Sequence, residues 1–172
     1  MAFQNENAVE ACRQVMAAVA AGVAVMTLVD ADGGSHGMTI SSLTPVSAEP
    51  PSVLLCVGGA ASSRPYLVEG QRFCANVLAA DQVAQSMGFA FGEDDPFATF
   101  GWTPAEDGTP VLDGTAGHLL CEVERVVDHH GTGVVLAAVI DGAVTKDEAL
   151  VYWKTAYYGG LIAVEPGVTG RW

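Results

Sequence analysis

Three short stretches of this chain carry side chains of the types and spacing that ligand binding needs. His36-Gly-Met-Thr-Ile-Ser-Ser42 sets hydroxyls at alternate positions of a strand-like run, so one strand face presents a row of polar groups. Ser62-Ser63-Arg64 opens a short helical pattern, and the unpaired amides of a helix start attract an anion. Asn76-Val77-Leu78 closes an apolar strand with one amide side chain. Each stretch alone is ordinary, because Ser and Thr suit strands and Ser suits helix caps. Their order along the chain is what raises their significance.

Catalytic machinery of the hydrolytic kind is missing from the sequence. It has no Gly-x-Ser-x-Gly elbow, no phosphate-binding Gly-rich loop and no His-Glu-x-x-His pair. His129 and His130 invite a metal, but neighbours on a strand point to opposite faces and no third ligand stands at ligand spacing. No metal is expected. His118, between Gly117 and Leu119, reads as a packed or half-exposed strand histidine, and Glu93-Asp94-Asp95 as a solvated loop. The four cysteines, at 12, 56, 74 and 121, include no pair at metal or redox spacing. Three of them sit in apolar runs, which predicts buried thiols and a reducing compartment.

The 172 residues include 7 Lys and Arg against 20 Asp and Glu, a net charge of −13. Nucleic acid and anionic membranes need clustered cations and are excluded as partners. Any phosphate must be held mainly by amides and hydroxyls. Half the residues are hydrophobic and only 16% are charged, which rules out a disordered chain. The apolar run from Val15 to Val29 falls short of the ~20 residues of a membrane span. Glu6 and Glu10 precede it, where an export signal carries positive charge, so the expected location is the cytoplasm.

The elements that must position these stretches follow from periodicity. Asn7 to Ala21 has apolar residues at helical spacing, with Gly22 as a stop. Val23 to Val29 and His36 to Leu43 are strands around an Asp30-Ala-Asp-Gly-Gly34 turn. Ser47 to Pro51 breaks the chain before a strand from Ser52 to Val57. A short helix over Ser62 to Glu69 precedes a strand from Arg72 to Leu78, and Asp81 caps a further helix. The section from Gly92 to Gly114 reads as loop. Two long strands, Gly117 to Val127 and Gly133 to Val144, and a last one from Leu150 to Trp153 complete the chain. About seven strands without regular crossover helices predict a mainly β fold, a closed or partly split antiparallel barrel forming one domain over 1–172.

With these elements in place, the sequence resembles the flavin reductase family. The matching residues run in family order: Ala21-Gly-Val-Ala-Val25, Asp32-Gly33, His36 to Ser42, Val46-Ser47, Pro50-Pro51 and Phe73-Cys-Ala-Asn-Val-Leu78. Phe100-Gly-Trp102, Pro110-Val-Leu112 with Gly114, Cys121-Glu-Val123 and Leu150-Val-Tyr152 through Tyr157 follow. The resemblance implies a flavin-binding split β-barrel, Greek-key-like and antiparallel, that forms a homodimer. It implies FMN or FAD as the flavin, NADH or NADPH as the reductant, and a monooxygenase that accepts the reduced flavin. By position, Met38, Thr39, Ile40, Ser41 and Ser42 would follow the flavin ring and ribityl chain. Ser62 and Ser63 would approach the phosphate with Arg64 assisting, and Asn76, Val77 and Leu78 would border the ring.

Two departures stand out. Family members carry Gly-Asp-His at the start of the penultimate long strand, whereas Gly131-Thr132 occupies the Asp-His positions here. Either a nearby histidine takes the nicotinamide role, with His130 closer than His129, or that role is absent. The stretch from Phe91 to Asp95 also lacks the basic residue of many relatives. The alternatives to a reductase are a flavin enzyme with its own organic substrate and a non-catalytic flavin-binding barrel.

Overall fold

The computed structural model describes residues 6–91 and 95–161. Helix α1 (Glu6–Ala17) leads into β1 (Ala21–Gly22), β2 (Ala24–Val29), β3 (Ser35–Ile40), β4 (Thr44–Ala48) and β5 (Pro51–Gly58). A single 3-10 turn (Arg64–Tyr66) precedes β6 (Arg72–Val77), α2 (Val83–Phe91) and α3 (Pro96–Thr99). Then come β7 (Trp102–Pro104), β8 (Pro110–Leu112), β9 (Gly117–His129), β10 (Thr132–Val144), β11 (Val151–Trp153) and β12 (Ala156–Tyr158).

Seven strands form the main antiparallel sheet in the order β3-β2-β6-β9-β10-β5-β4. Its two edge strands, β3 and β4, are consecutive in the chain, so the sheet curls until its edges approach. The ladder does not close between them. Instead Ser42, in the link between the edges, donates from its hydroxyl to the Cys56 carbonyl (3.2 Å) and accepts from the Cys56 amide (3.0 Å) on β5. A side chain thus bridges the split where backbone pairing is absent.

Strand β2 runs through the centre of the packing. Ala24, Met26 and Leu28 point into the barrel with Leu55, Phe73 and Val135, while Val23 and Val25 join Leu78, Phe89 and Leu150 in a second core. Burial on both faces explains why the strand is apolar at every position but Thr27 rather than alternating. The turn after it is closed by Asp30, whose carboxylate accepts from the amides of Asp32 and Gly34.

Several expectations change in the structure. The helix expected over Ser62 to Glu69 is only the turn Arg64–Tyr66. Leu67 turns into the core and the Gly70 amide bonds Val123 on β9, so tertiary contacts end it after one turn. The break expected at Ser47 is the end of a real strand, β4, which holds Pro45 because an edge strand tolerates proline. The stretch expected to be loop contains α3 and the β7–β8 hairpin, with the Asp95 carboxylate accepting from the Phe97 amide at the start of α3. Glu93 and Asp94 lie outside the described residues. Asp81, expected to cap α2, pairs instead with Lys146 at 3.4 Å. All four thiols are unpaired, but Cys12 and Cys56 are exposed while Cys74 and Cys121 are buried. No helix among the described residues is long and apolar enough to cross a membrane.

Candidate functional site

The alternation of β3 sorts the 36–42 stretch into two faces. Met38 and Ile40 pack with the barrel core, and the Ser42 hydroxyl is committed to Cys56. Gly37, Thr39 and Ser41 face the other way, towards α2. Helix α2 seats closely on this face because Gly37 has no side chain: a Cβ there would stand 2.6 Å from the Phe89 ring. Thr39 ties the two elements by donating from Oγ1 to the Ser86 carbonyl at 2.7 Å.

A cavity of about 430 Å³ opens along this seam, with Thr39, Ile40 and Ser41 on the β3 side and Ser86, Met87 and Phe91 on the α2 side. Tyr152 and Tyr157, from the β11–β12 hairpin, close it. The Tyr157 hydroxyl lies 2.9 Å from the Ser86 hydroxyl, which anchors the hairpin to the helix. None of the lining residues carries a charge. The result is an apolar, aromatic slot with a few hydroxyls, suited to a flat ring with polar edges. Ser86 and Tyr157 had no site role in the sequence reading. The signal for Ser86 was the one hydroxyl in a largely apolar helix.

A second cavity of about 290 Å³ continues along β3, where Ser35, His36 and Gly37 meet Ser62. The two cavities share Ala90. His36 is held by Asp30, whose carboxylate oxygen lies 2.7 Å from its Nε2, and its ring stacks on Tyr66 with centroids 4.0 Å apart. The hydrogen bond from His36 and those from the turn amides hold the Asp30 carboxyl below the usual range. This stack links the β2–β3 turn to the 3-10 turn that carries Arg64. Ser63, beside it, is wholly buried, and its hydroxyl has no hydrogen-bond partner.

Asn76, Val77 and Leu78, expected to border the ring, line neither cavity. Asn76 is wholly buried and fully engaged: Nδ2 donates to the Val25 carbonyl and the Thr27 hydroxyl, and Oδ1 accepts from the Leu112 amide and the Cys74 thiol. It joins β2, β6 and β8. Leu78 packs in the second core with Val23, and Val77 is half-buried between β2 and β9.

His130 stands apart from both cavities, in the two-residue turn joining β9 to β10. Its φ of 51° and the 80° of Gly131 are both left-handed, as a two-residue hairpin turn demands. Because His130 leaves the strand here, its ring does not oppose that of His129: the centroids lie 4.4 Å apart, edge to face. The turn lies against the chain leading to Ser62, for a Cβ on Gly59 would stand 2.5 Å from the Gly131 carbonyl oxygen.

Residues 16–161 match the family model described as a flavin reductase like domain. The chain is similar to a flavin reductase of Pseudomonas putida, 29% identical over 153 residues that cover 88% of this chain and 89% of the relative. It is similar also to the reductase subunit of a flavin-dependent monooxygenase of Mycobacterium tuberculosis, 32% identical over 160 residues, 91% of this chain and 83% of the relative. Among solved structures, the NADH:FAD oxidoreductase of Streptomyces globisporus, in complex with NAD and FAD fragments, superimposes with a TM-score of 0.84 at 27% identity, covering 96% of this chain and 99% of that one.

Proposed function

The chain belongs to the flavin reductase-like family, and from that premise we propose that the β3–α2 slot holds FMN or FAD for reduction by NADH or NADPH. The protein is an NAD(P)H-dependent flavin oxidoreductase, and its reduced flavin goes to a partner monooxygenase. The observation that carries this reading is the slot itself, hydroxyl-edged, aromatic and lined by no charged group. Hydride transfer is chemistry that nicotinamide and flavin supply once bound, so the protein needs only to bind and orient them.

The residues present fit a flavin. Tyr152, Tyr157 and Phe91 offer aromatic surface to the ring. Thr39, with its proton committed to Ser86, accepts from a ring N–H, and the exposed Ser41 hydroxyl is placed for the ribityl chain. Ile40 lines the slot, Met38 and Leu78 pack into the two cores, and Val77, Asn76 and Ser42 hold the strands around them. A phosphate oxygen is what the unpartnered Ser63 hydroxyl lacks, and Ser62 and Arg64 flank it with a donor and a charge. His130, exposed beside this segment, is assigned to the carboxamide or pyrophosphate of the reductant.

A second copy of the chain completes the assembly. From Asn7 to Ala17 every residue of α1 is exposed, including Val9, Val15 and Met16. A helix of 12 residues is marginal in water without a packed face, so a homodimer partner covers it. Solution mass at micromolar concentration is expected at twice the chain mass. Four unpaired thiols accord with a cytoplasmic setting.

The deciding measurement is oxidation of NADH and NADPH by the purified protein with FMN or FAD added. Catalytic turnover is expected. Tight flavin binding with no oxidation of either nucleotide overturns the reading.

A further inference from the structure

Gly133 sits second in β10 and faces the barrel interior, on the same side as the buried Val135 and Ala137. Its backbone is outside the left-handed region, so the strand itself does not require glycine. What a side chain would meet is Arg64: a Cβ at 133 would stand 2.5 Å from Nε, 2.9 Å from Cζ and 3.0 Å from Nη2. The guanidinium therefore lies against bare backbone at the end of the barrel. Asp128 approaches it as well, with Oδ2 at 4.0 Å from Nη2, while Oδ1 of the same carboxylate accepts from the Gly131 amide at 3.3 Å. The β9–β10 hairpin thus provides a slot that fits the planar guanidinium.

We propose that Gly133 is a positioning residue: its missing side chain sets where the Arg64 charge stands, and through Arg64 it sets the preference for phosphorylated over unphosphorylated flavin. The inference rests on the reading above that Ser62 to Arg64 receive the flavin phosphate. An arginine presents its charge to phosphate through a fixed fork, so a displacement of an ångström costs hydrogen-bond geometry even though the charge remains.

Gly133→Ala is the direct test, because the new methyl meets the flexible end of a side chain and not backbone, so the guanidinium moves while the strand stays. The readout is the ratio of KM for riboflavin to KM for FMN, which a general loss of stability does not move. Gly133→Ala is expected to lower that ratio about tenfold, the scale of one charge-assisted hydrogen bond. Added to Arg64→Ala, it should lower the ratio no further. Arg64→Lys, which keeps the charge but not the plane that fits the slot, should also lower it and covers the case that Gly133→Ala folds poorly. An unchanged ratio in Gly133→Ala or in Arg64→Lys, where Arg64→Ala lowers it, overturns the positioning role. So does an equal drop from Gly133→Ala with and without Arg64. If Arg64→Ala itself leaves the ratio unchanged, the phosphate assignment falls and the positioning role falls with it.

Discussion

Asn76 and Ser63 are both wholly buried polar side chains, and the fold treats them oppositely. Asn76 makes four hydrogen bonds that hold three strands together, whereas the Ser63 hydroxyl makes none. An unpaired buried polar group costs about 1–3 kcal/mol, so a fold retains one only where something else benefits. The pair separates two uses of polarity in one domain. Asn76 braces β2, β6 and β8, and under the proposed function the Ser63 hydroxyl takes an oxygen of the flavin phosphate as its partner. Both came from segments that resemble the family's binding motifs, so motif membership alone did not distinguish framework from contact.

The largest expected effect tests the framework half. Asn76→Ala leaves the Leu112 amide unpaired in the interior and removes the side-chain bonds to Val25 and Thr27, so urea unfolding should show a loss of about 3 kcal/mol or more. A loss below about 1 kcal/mol would mean that the network re-forms without the amide, and the contrast would collapse. Ser63→Ala tests the other half. Stability should hold or rise, by up to about 1–3 kcal/mol, since no bond is lost and an unpaired buried hydroxyl is removed, while FMN affinity should fall by about 1 kcal/mol. A destabilisation of the Asn76 kind, with FMN affinity intact, would make Ser63 framework as well.

The thiols beside the Asn76 network sharpen the contrast through pH. Burial pushes the Cys121 thiol from an ordinary 9.0 up to about 12. The Cys74 thiol, which donates to Asn76, is raised further by burial and by neighbouring Cys121. The native state therefore keeps protons that the unfolded chain releases above pH 9 or so, and stability, complete below that pH, declines as pH rises towards 12. Melting temperature should fall over this range, and less steeply in Cys121→Val. An equal slope in that variant would assign the alkaline loss to other groups.

The smallest effect belongs to His130. Its φ of 51° makes alanine a poor replacement, so His130→Asn, which tolerates the left-handed region, isolates the imidazole. The KM for NADH should rise several-fold with flavin affinity and melting temperature unchanged, as expected for losing one hydrogen bond at an exposed site. Full activity in both His130→Asn and His130→Gly would remove the histidine from the reaction.

Much of the fold was legible before any coordinates. The Asp30-Ala-Asp-Gly-Gly34 turn, the limits of β6 and the long β9–β10 pair follow from turn residues and apolar runs, which act over a few positions. The 36–42 stretch was legible as a polar-edged strand for the same reason, and its period of two became the split between groove-facing Thr39 and Ser41 and inward-facing Met38 and Ser42.

Other features arose only when distant segments met. Ser86 and Tyr157 are 71 positions apart, and neither carries a local sign that their hydroxyls will lie 2.9 Å from each other across the slot. The Ser62–Glu69 helix failed because Leu67 gains more from the core than from another helical turn, a choice made by β9 and not by its own neighbours. Asn76 became framework because β2 and β8 brought a carbonyl and an amide to it, and Ser63 did not because no partner arrived. Sequence determined which side chains were polar and how they alternated. Tertiary packing decided which of them were satisfied, since hydrogen bonding needs a partner within about 3 Å, whatever its distance along the chain.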